Sequence, residues 1–117
     1  MNRDCLIYLT SELELNLIEL ELDSKFKNDD IELILLKNSD YDSSRQSEYP
    51  DGFLYFRYIL EVNILNEDIE MLKIVSIVNN ILDFLWENNI SAIASCDYEN
   101  LLKNNGGYKN ISIPWPS

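Results

Sequence analysis

The spacing of hydrophobic residues changes several times along this chain, and each change marks an element. Residues 5–9, Cys-Leu-Ile-Tyr-Leu, form a short apolar run of the kind that fills a buried strand. Residues 13–26 are ambiguous. Leu13, Leu15 and Leu17 alternate with polar residues as in a strand, and Ile18, Leu20 and Leu22 then slip out of step. The same stretch places Leu13, Leu17, Leu20, Ile18 and Leu22 on one broad helical face. Leu and Glu are good helix formers, and only Ile18 is β-branched. Ser11 and Glu14 have the spacing of a capping box, so helix is preferred. Asn28-Asp29-Asp30 breaks the pattern, and residues 31–37, Ile-Glu-Leu-Ile-Leu-Leu-Lys, predict a strand.

Residues 38–52 read as a polar loop, rich in acids and containing Pro50 and Gly52. Residues 53–62 give the strongest strand signal. One face, Leu54, Phe56, Tyr58, Leu60 and Val62, is hydrophobic enough to be core. The other, Phe53, Tyr55, Arg57, Ile59 and Glu61, carries charge and phenol and should meet solvent or a partner. A helix is then predicted over 66–88. Asn66 would cap it, Glu67, Asp68 and Glu70 lie near its positive end, and Met71, Ile74, Val75, Val78, Ile81, Leu82 and Leu85 keep helical spacing. Asn88-Asn89 suits its C-terminus, because Asn tolerates the left-handed conformation. Residues 90–96 predict a last strand. The tail, 97–117, holds a turn at Asn104-Asn105-Gly106-Gly107 and ends in Ile113-Pro114-Trp115-Pro116-Ser117, where proline limits regular structure.

The order β-α-β-β-α-β predicts a ferredoxin-like α+β fold. It would be a single domain, with a core over 4–96 and an irregular C-terminal tail over 97–117. Two helices would cover one face of an antiparallel sheet and leave the other open. The first and last strands would be neighbours, bringing Cys5 and Cys96 together.

Composition narrows the function. The chain has 117 residues, 46% hydrophobic and 11% aromatic, enough for one packed core. No apolar run approaches the roughly 20 residues needed to span a bilayer. No secretory signal is read at the start, so a cytoplasmic location is expected. Cys5 and Cys96 are expected as free thiols. There is no histidine, which removes the commonest general base and zinc ligand. The expectation is a protein that is not an enzyme and holds no cofactor. The net charge of −12 and pI near 4.1 repel nucleic acid and anionic membranes and attract basic proteins.

Residues 40–51 have oxygens at alternate positions, as a calcium loop does. However, Arg45 stands where the sharp turn needs Gly, and Asp51 where a bidentate Glu is usual. A solvated acidic loop is the simpler reading. The carboxylate pairs Asp29/Asp30 and Glu67/Asp68 fall at a turn and a helix start. Gly106-Gly107 lacks the strand–loop–helix setting of a phosphate loop. Cys96, beside Asp97 and Glu99, should be a poor thiolate. Phe53, Tyr55 and Arg57 instead have the composition of an interface core. Asp40, Asp42, Glu48 and Asp51, with Asp97 and Glu99, would supply its charged rim, and Trp115 could act as lid or contact. Stacking of single-stranded RNA on this face is opposed by the charge.

Residues 53–58, 93–99 (Ile-Ala-Ser-Cys-Asp-Tyr-Glu) and 104–108 (Asn-Asn-Gly-Gly-Tyr) resemble bacterial immunity proteins of contact-dependent growth inhibition and polymorphic toxin systems. The resemblance covers roughly the C-terminal half. It implies a small cytoplasmic protein that binds the C-terminal domain of one cognate toxin, often a basic nuclease, and blocks its active or substrate-binding surface. The alternative is a small-ligand regulatory module of ferredoxin-like type, with a metabolite between strand and helix or at a dimer interface.

Overall fold

The computed structural model describes residues 1–117. Its elements are β1 (Cys5–Thr10), α1 (Leu15–Phe26), β2 (Ile31–Lys37), β3 (Tyr58–Ile64), α2 (Met71–Glu87) and β4 (Ser91–Ser95). The strands form one antiparallel sheet in the order β2-β3-β1-β4. The expected pairing of first and last strands is present. Leu6 faces Ser95 across the β1–β4 ladder, which puts Cys5 opposite Cys96 one step further on.

The period-2 rule works on the inner strands β1 and β3, and the edge strand β4 adds to the same face. Cys5, Ile7 and Leu9 of β1, Tyr58, Leu60 and Val62 of β3, and Ala92 and Ala94 of β4 are buried and share one core cluster. The helices cover that face. α2 adds Ile74, Val75, Val78, Ile81, Leu82 and Leu85, the stripe its spacing predicts. Burying each Leu- or Ile-sized side chain contributes about 1.5–3 kcal/mol before conformational entropy is counted. The helix ends as expected, with Asn89 left-handed at φ 59°.

The helix starts differ from expectation. Asn66 does not cap α2. Its Oδ1 accepts the Asp68 N–H at 2.9 Å within a preceding turn, and the helix begins at Met71 after Glu70, which makes no side-chain cap. The Ser11/Glu14 capping box is also not formed. Ser11 Oγ accepts the Leu13 N–H at 3.1 Å, and Glu14 precedes α1 without a side-chain cap.

The buried stripe of α1 is only part of the expected face. Ile18 and Leu22 are buried, and Leu15 and Phe26 pack partly against them, whereas Leu13, Leu17 and Leu20 are 50%, 50% and 66% exposed. Apolar and polar residues alternate around this helix without a sharp division, so periodicity alone does not choose a face.

The strand expected over 53–62 starts only at Tyr58. Residues Asp51–Tyr55 form a 3-10 turn. Local hydrogen bonds account for this. Asn38 Nδ2 donates to the carbonyls of Leu54 (3.0 Å) and Phe56 (2.8 Å), and the Asp42 N–H donates to Tyr55 O (3.2 Å). The loop therefore occupies three successive carbonyls. Gly52 fits because a Cβ there would lie 2.6 Å from the Gln46 carbonyl oxygen. As a result Leu54 leaves the expected core face and is 45% exposed. Phe56 is fully buried but belongs to a second cluster with Ile93 and Ile113 on the opposite side of the sheet.

Candidate partner-binding surface

The outer sheet face, away from the helices, is half closed and half open. The register aligns Leu36, Ile59, Tyr8 and Ile93 in one row across all four strands. At the β4 end the tail covers Ile93. Trp115 tilts over Phe56 with ring centroids 5.3 Å apart, meets Tyr49 edge-on at 5.3 Å, and donates Nε1–H to Ser47 O at 2.9 Å. At the β2 end Leu36 is exposed, and Ile34 and Ile59 are half-buried.

The three expected anchors do not share an open sheet face, because two of them precede β3 in the 3-10 turn. Phe53 is half-buried, edge-on to Tyr8 (5.3 Å) and Tyr108 (5.8 Å). Tyr55 lies beneath the Arg45 guanidinium at 4.0 Å. Arg57 donates Nη1–H to Ser11 O at 3.1 Å and sits over the Tyr58 ring at 5.0 Å. Each already has an intramolecular partner.

The acidic positions divide between opposite ends of β1, a six-residue strand roughly 20 Å long. The loop 38–52 lies at its Thr10 end, where Thr10 Oγ1 donates to Gln46 Oε1 at 2.8 Å. Asp40 and Glu48 are exposed there. Asp42 is structural: its Oδ1 accepts the Ser44 hydroxyl (2.6 Å) and the Ser44 and Arg45 N–H groups (2.9 and 3.2 Å). The Ser44 hydrogen bonds hold its carboxyl below the usual range. Asp51 accepts the Tyr108 hydroxyl at 2.7 Å, which raises that phenol's pKa. Asp97 and Glu99 lie at the Cys5 end. Asp97 accepts the Asn2 N–H at 2.8 Å, and Glu99 the Cys96 N–H at 3.3 Å. The expected rim is therefore spread along the strand, with Asp51 and Glu99 both acting on the Tyr108 hydroxyl between them.

The thiols meet at that second end. The Cys5 thiol is pushed up, first by its hydrogen bond to Cys96 and then by burial. The same bond brings Cys96 down, against the raising effects of burial, Glu99 and Asp97. The poor thiolate expected at Cys96 is corrected by this neighbour from β1. Tyr98, whose hydroxyl donates to Arg3 O at 3.1 Å, is raised chiefly by burial.

Sequence reasoning missed a concave feature of the surface. A groove of about 940 Å³ opens at the Thr10 end of the sheet. Leu13, Leu17 and Leu20 line one side, and Trp115 and Pro116 from the tail another. Glu12 and Glu21 supply carboxylates, and Arg57 is its one cationic side chain. Of the expected residues, the groove brings together Arg57 and Trp115. The overlooked signal was the surplus of leucines in α1, more than one buried stripe can use.

Two ion pairs form, Lys73–Asp30 at 3.3 Å and Lys103–Asp83 at 3.0 Å, both partly exposed. Nearly all of the 21 acids thus carry charge that no basic side chain offsets at close range. No helix is long and apolar enough to cross a membrane. No family model, curated protein or solved structure matches the chain.

Proposed function

We propose that this protein is a cytoplasmic immunity protein that neutralises a basic toxin domain, of nuclease type, by occluding its active or substrate-binding surface. The observation that carries the reading is the groove: an exposed leucine stripe, Leu13, Leu17 and Leu20, flanked by carboxylates without ion-pair partners. Exposed apolar side chains at the centre of a patch supply contact energy. The surrounding negative potential steers a cationic domain toward it and takes the place of the phosphates that such a domain would bind. The strand order β2-β3-β1-β4, with every pairing antiparallel, supports the ferredoxin-like arrangement implied by the order of elements. Asp40 and Glu48, exposed at the groove end, extend the acidic surface. Phe53, Tyr55 and Asp51 act as the scaffold beneath it.

The test is co-expression with the C-terminal domain of the large secreted protein expected beside this chain in the genome. Restored growth supports the reading, and growth arrest despite a folded protein rejects it. A second reading, a small-ligand regulatory module, rests on the groove volume, which falls within the range of ligand pockets. Thermal stabilisation by a metabolite, with no binding to the toxin domain, would favour it instead.

A further inference from the structure

The two edges of the sheet are treated differently. At β4 the edge is closed. Trp86 Nε1–H donates to Ala92 O at 3.0 Å, and the Gly106-Gly107 turn lies so close that Cβ atoms there would sit 3.2 Å from Ala94 O and 3.0 Å from Ala92 O. Both glycines also have positive φ, 73° and 95°, so the turn suits them on two counts.

At β2 the edge is bare. Asp30 O accepts the Leu65 N–H, and the Asn38 N–H donates to Arg57 O, each at 2.9 Å. Those bonds fix the alternation: even-numbered residues of β2 bond inward to β3, and Leu33, Leu35 and Lys37 turn their N–H and C=O groups outward. No turn, loop or side chain bonds to these groups. An unguarded edge of this kind pairs readily with another strand. Natural sheets usually protect it with proline, a bulge, inward-pointing charge or a very short strand. β2 is seven residues long, regular in register and proline-free, and carries one lysine, at its end.

We infer that the edge of β2 is a docking rail on which an extended cationic segment of the partner adds a fifth strand through the outward groups of Leu33, Leu35 and Lys37. This rests on the toxin-binding reading and specifies how the partner engages. Charge selects the occupant. Glu32 is exposed on β2, and Asn63 Nδ2 lies 3.4 Å from carboxylate oxygens of both Glu32 and Glu61 on the outer face beside it. A second copy of this chain would bring another −12 against the same edge. A strand rich in lysine or arginine meets the opposite charge. The rail also leads from Lys37 into the acidic loop, so a strand docked there continues toward Asp40. Main-chain bonds would then supply affinity, and the flanking carboxylates would select a cationic strand.

The experiment measures amide hydrogen exchange in the full chain, alone and with the toxin domain encoded beside it, together with the affinities of two variants. Lys37→Pro deletes an outward N–H while keeping the inward ladder, a position where proline is tolerated. Lys37→Ala removes only the side chain. The expected result is slowed exchange at Leu33, Leu35 and Lys37, an affinity at least tenfold lower for Lys37→Pro, and no loss for Lys37→Ala. Toxin binding with unchanged exchange at these amides overturns the inference, as does full affinity of a folded Lys37→Pro. If Lys37→Pro does not fold, wild-type exchange decides. If the toxin domain does not bind the wild type, the functional reading itself fails. The edge is then judged with an octapeptide of alternating lysine and valine and its backbone N-methylated analogue. Protection of the three amides by the first and not the second supports the rail, and protection by neither overturns it. A concentration-dependent dimer that protects the same amides assigns the edge to a second copy and overturns the cationic-partner assignment.

Discussion

The two helices lie against the same core but differ in how much of themselves they give to it. α2 has 17 residues and buries six of them; α1 has 12 and buries two, despite its leucine-rich sequence. The apolar residues of α2 are nearly used up by packing. Leu17 and Leu20 of α1, with Leu13 just before it, make a second stripe that packing leaves in solvent beside the groove. Isolated exposed leucines are ordinary, but a row of them along one groove wall marks a surface with something to cover it. The stable side of the molecule and the side proposed to bind a partner are thus built from the same residue types, separated by which stripe faces the sheet.

Truncating one leucine in each helix tests that division most severely. Leu82→Ala removes a fully buried side chain from the core cluster and should cost about 2–5 kcal/mol. Leu20→Ala should stay within about 0.5 kcal/mol of wild type, as exposed substitutions usually do. Urea unfolding measures both. A large loss at Leu20 would mean that its stripe is packed after all and would dissolve the contrast.

The reverse asymmetry should hold in binding. Leu17→Gln combined with Leu20→Gln should weaken the proposed toxin complex by about 2 kcal/mol or more, the scale of an interface hot spot, while leaving the melting temperature nearly unchanged. Calorimetric titration reads the first and thermal unfolding the second. Retained affinity would move the interface away from α1, leaving β2 and the acidic loop to carry it.

Much of this architecture was legible in the sequence, and most of the errors share an origin. The β2 boundaries, the buried stripe of α2, Asn89 and the 104–107 turn follow from local rules: strand composition, helical period, and tolerance of left-handed φ. The pairing of β1 with β4 follows from element order. The two missed helix caps failed locally, Asn66 and Ser11 each accepting the N–H two residues on; the other failures depended on long-range partners. The strand before Tyr58 is missing because Asn38, 16 and 18 residues away, donates to the Leu54 and Phe56 carbonyls. The Phe53/Tyr55/Arg57 face dissolves because Tyr8, Arg45 and Ser11 already engage those side chains. Choosing between two stripes on α1 required the shape of the sheet, which periodicity does not contain. The thiol pair reversed the expectation for Cys96 because its dominant neighbour lies 91 residues away in sequence.

Charge sharpens the comparison at smaller amplitude. Glu12→Gln with Glu21→Gln removes the groove's acidic side chains without touching the leucines. The proposed toxin complex should form several-fold more slowly at low salt and dissociate at nearly the same rate, since peripheral charge acts mainly on encounter. Raising the salt should shrink the difference between variant and wild type, because added ions screen the field that both rely on. Stopped-flow association at two ionic strengths checks this. An effect confined to dissociation would place these carboxylates inside the contact rather than around it.

The smallest expected effect concerns acid stability, and it separates structural carboxylates from steering ones. Asp30 is held below the usual carboxylate range, first by Asn66 and then by Lys73, and Asp42 is lowered by Ser44. Both bind protons more weakly folded than unfolded. Their contribution is present above the ordinary carboxylate pKa of about 4 and is lost as pH falls through their lowered folded values. Asp42→Asn should therefore be slightly less stable than wild type at pH 7, with the gap closing toward pH 2. Chemical unfolding of Asp42→Asn and wild type across pH 2–7 measures the gap. A constant gap for Asp42→Asn would mean that the side-chain shape, rather than the ionised carboxylate, secures the turn at Ser44 and Arg45.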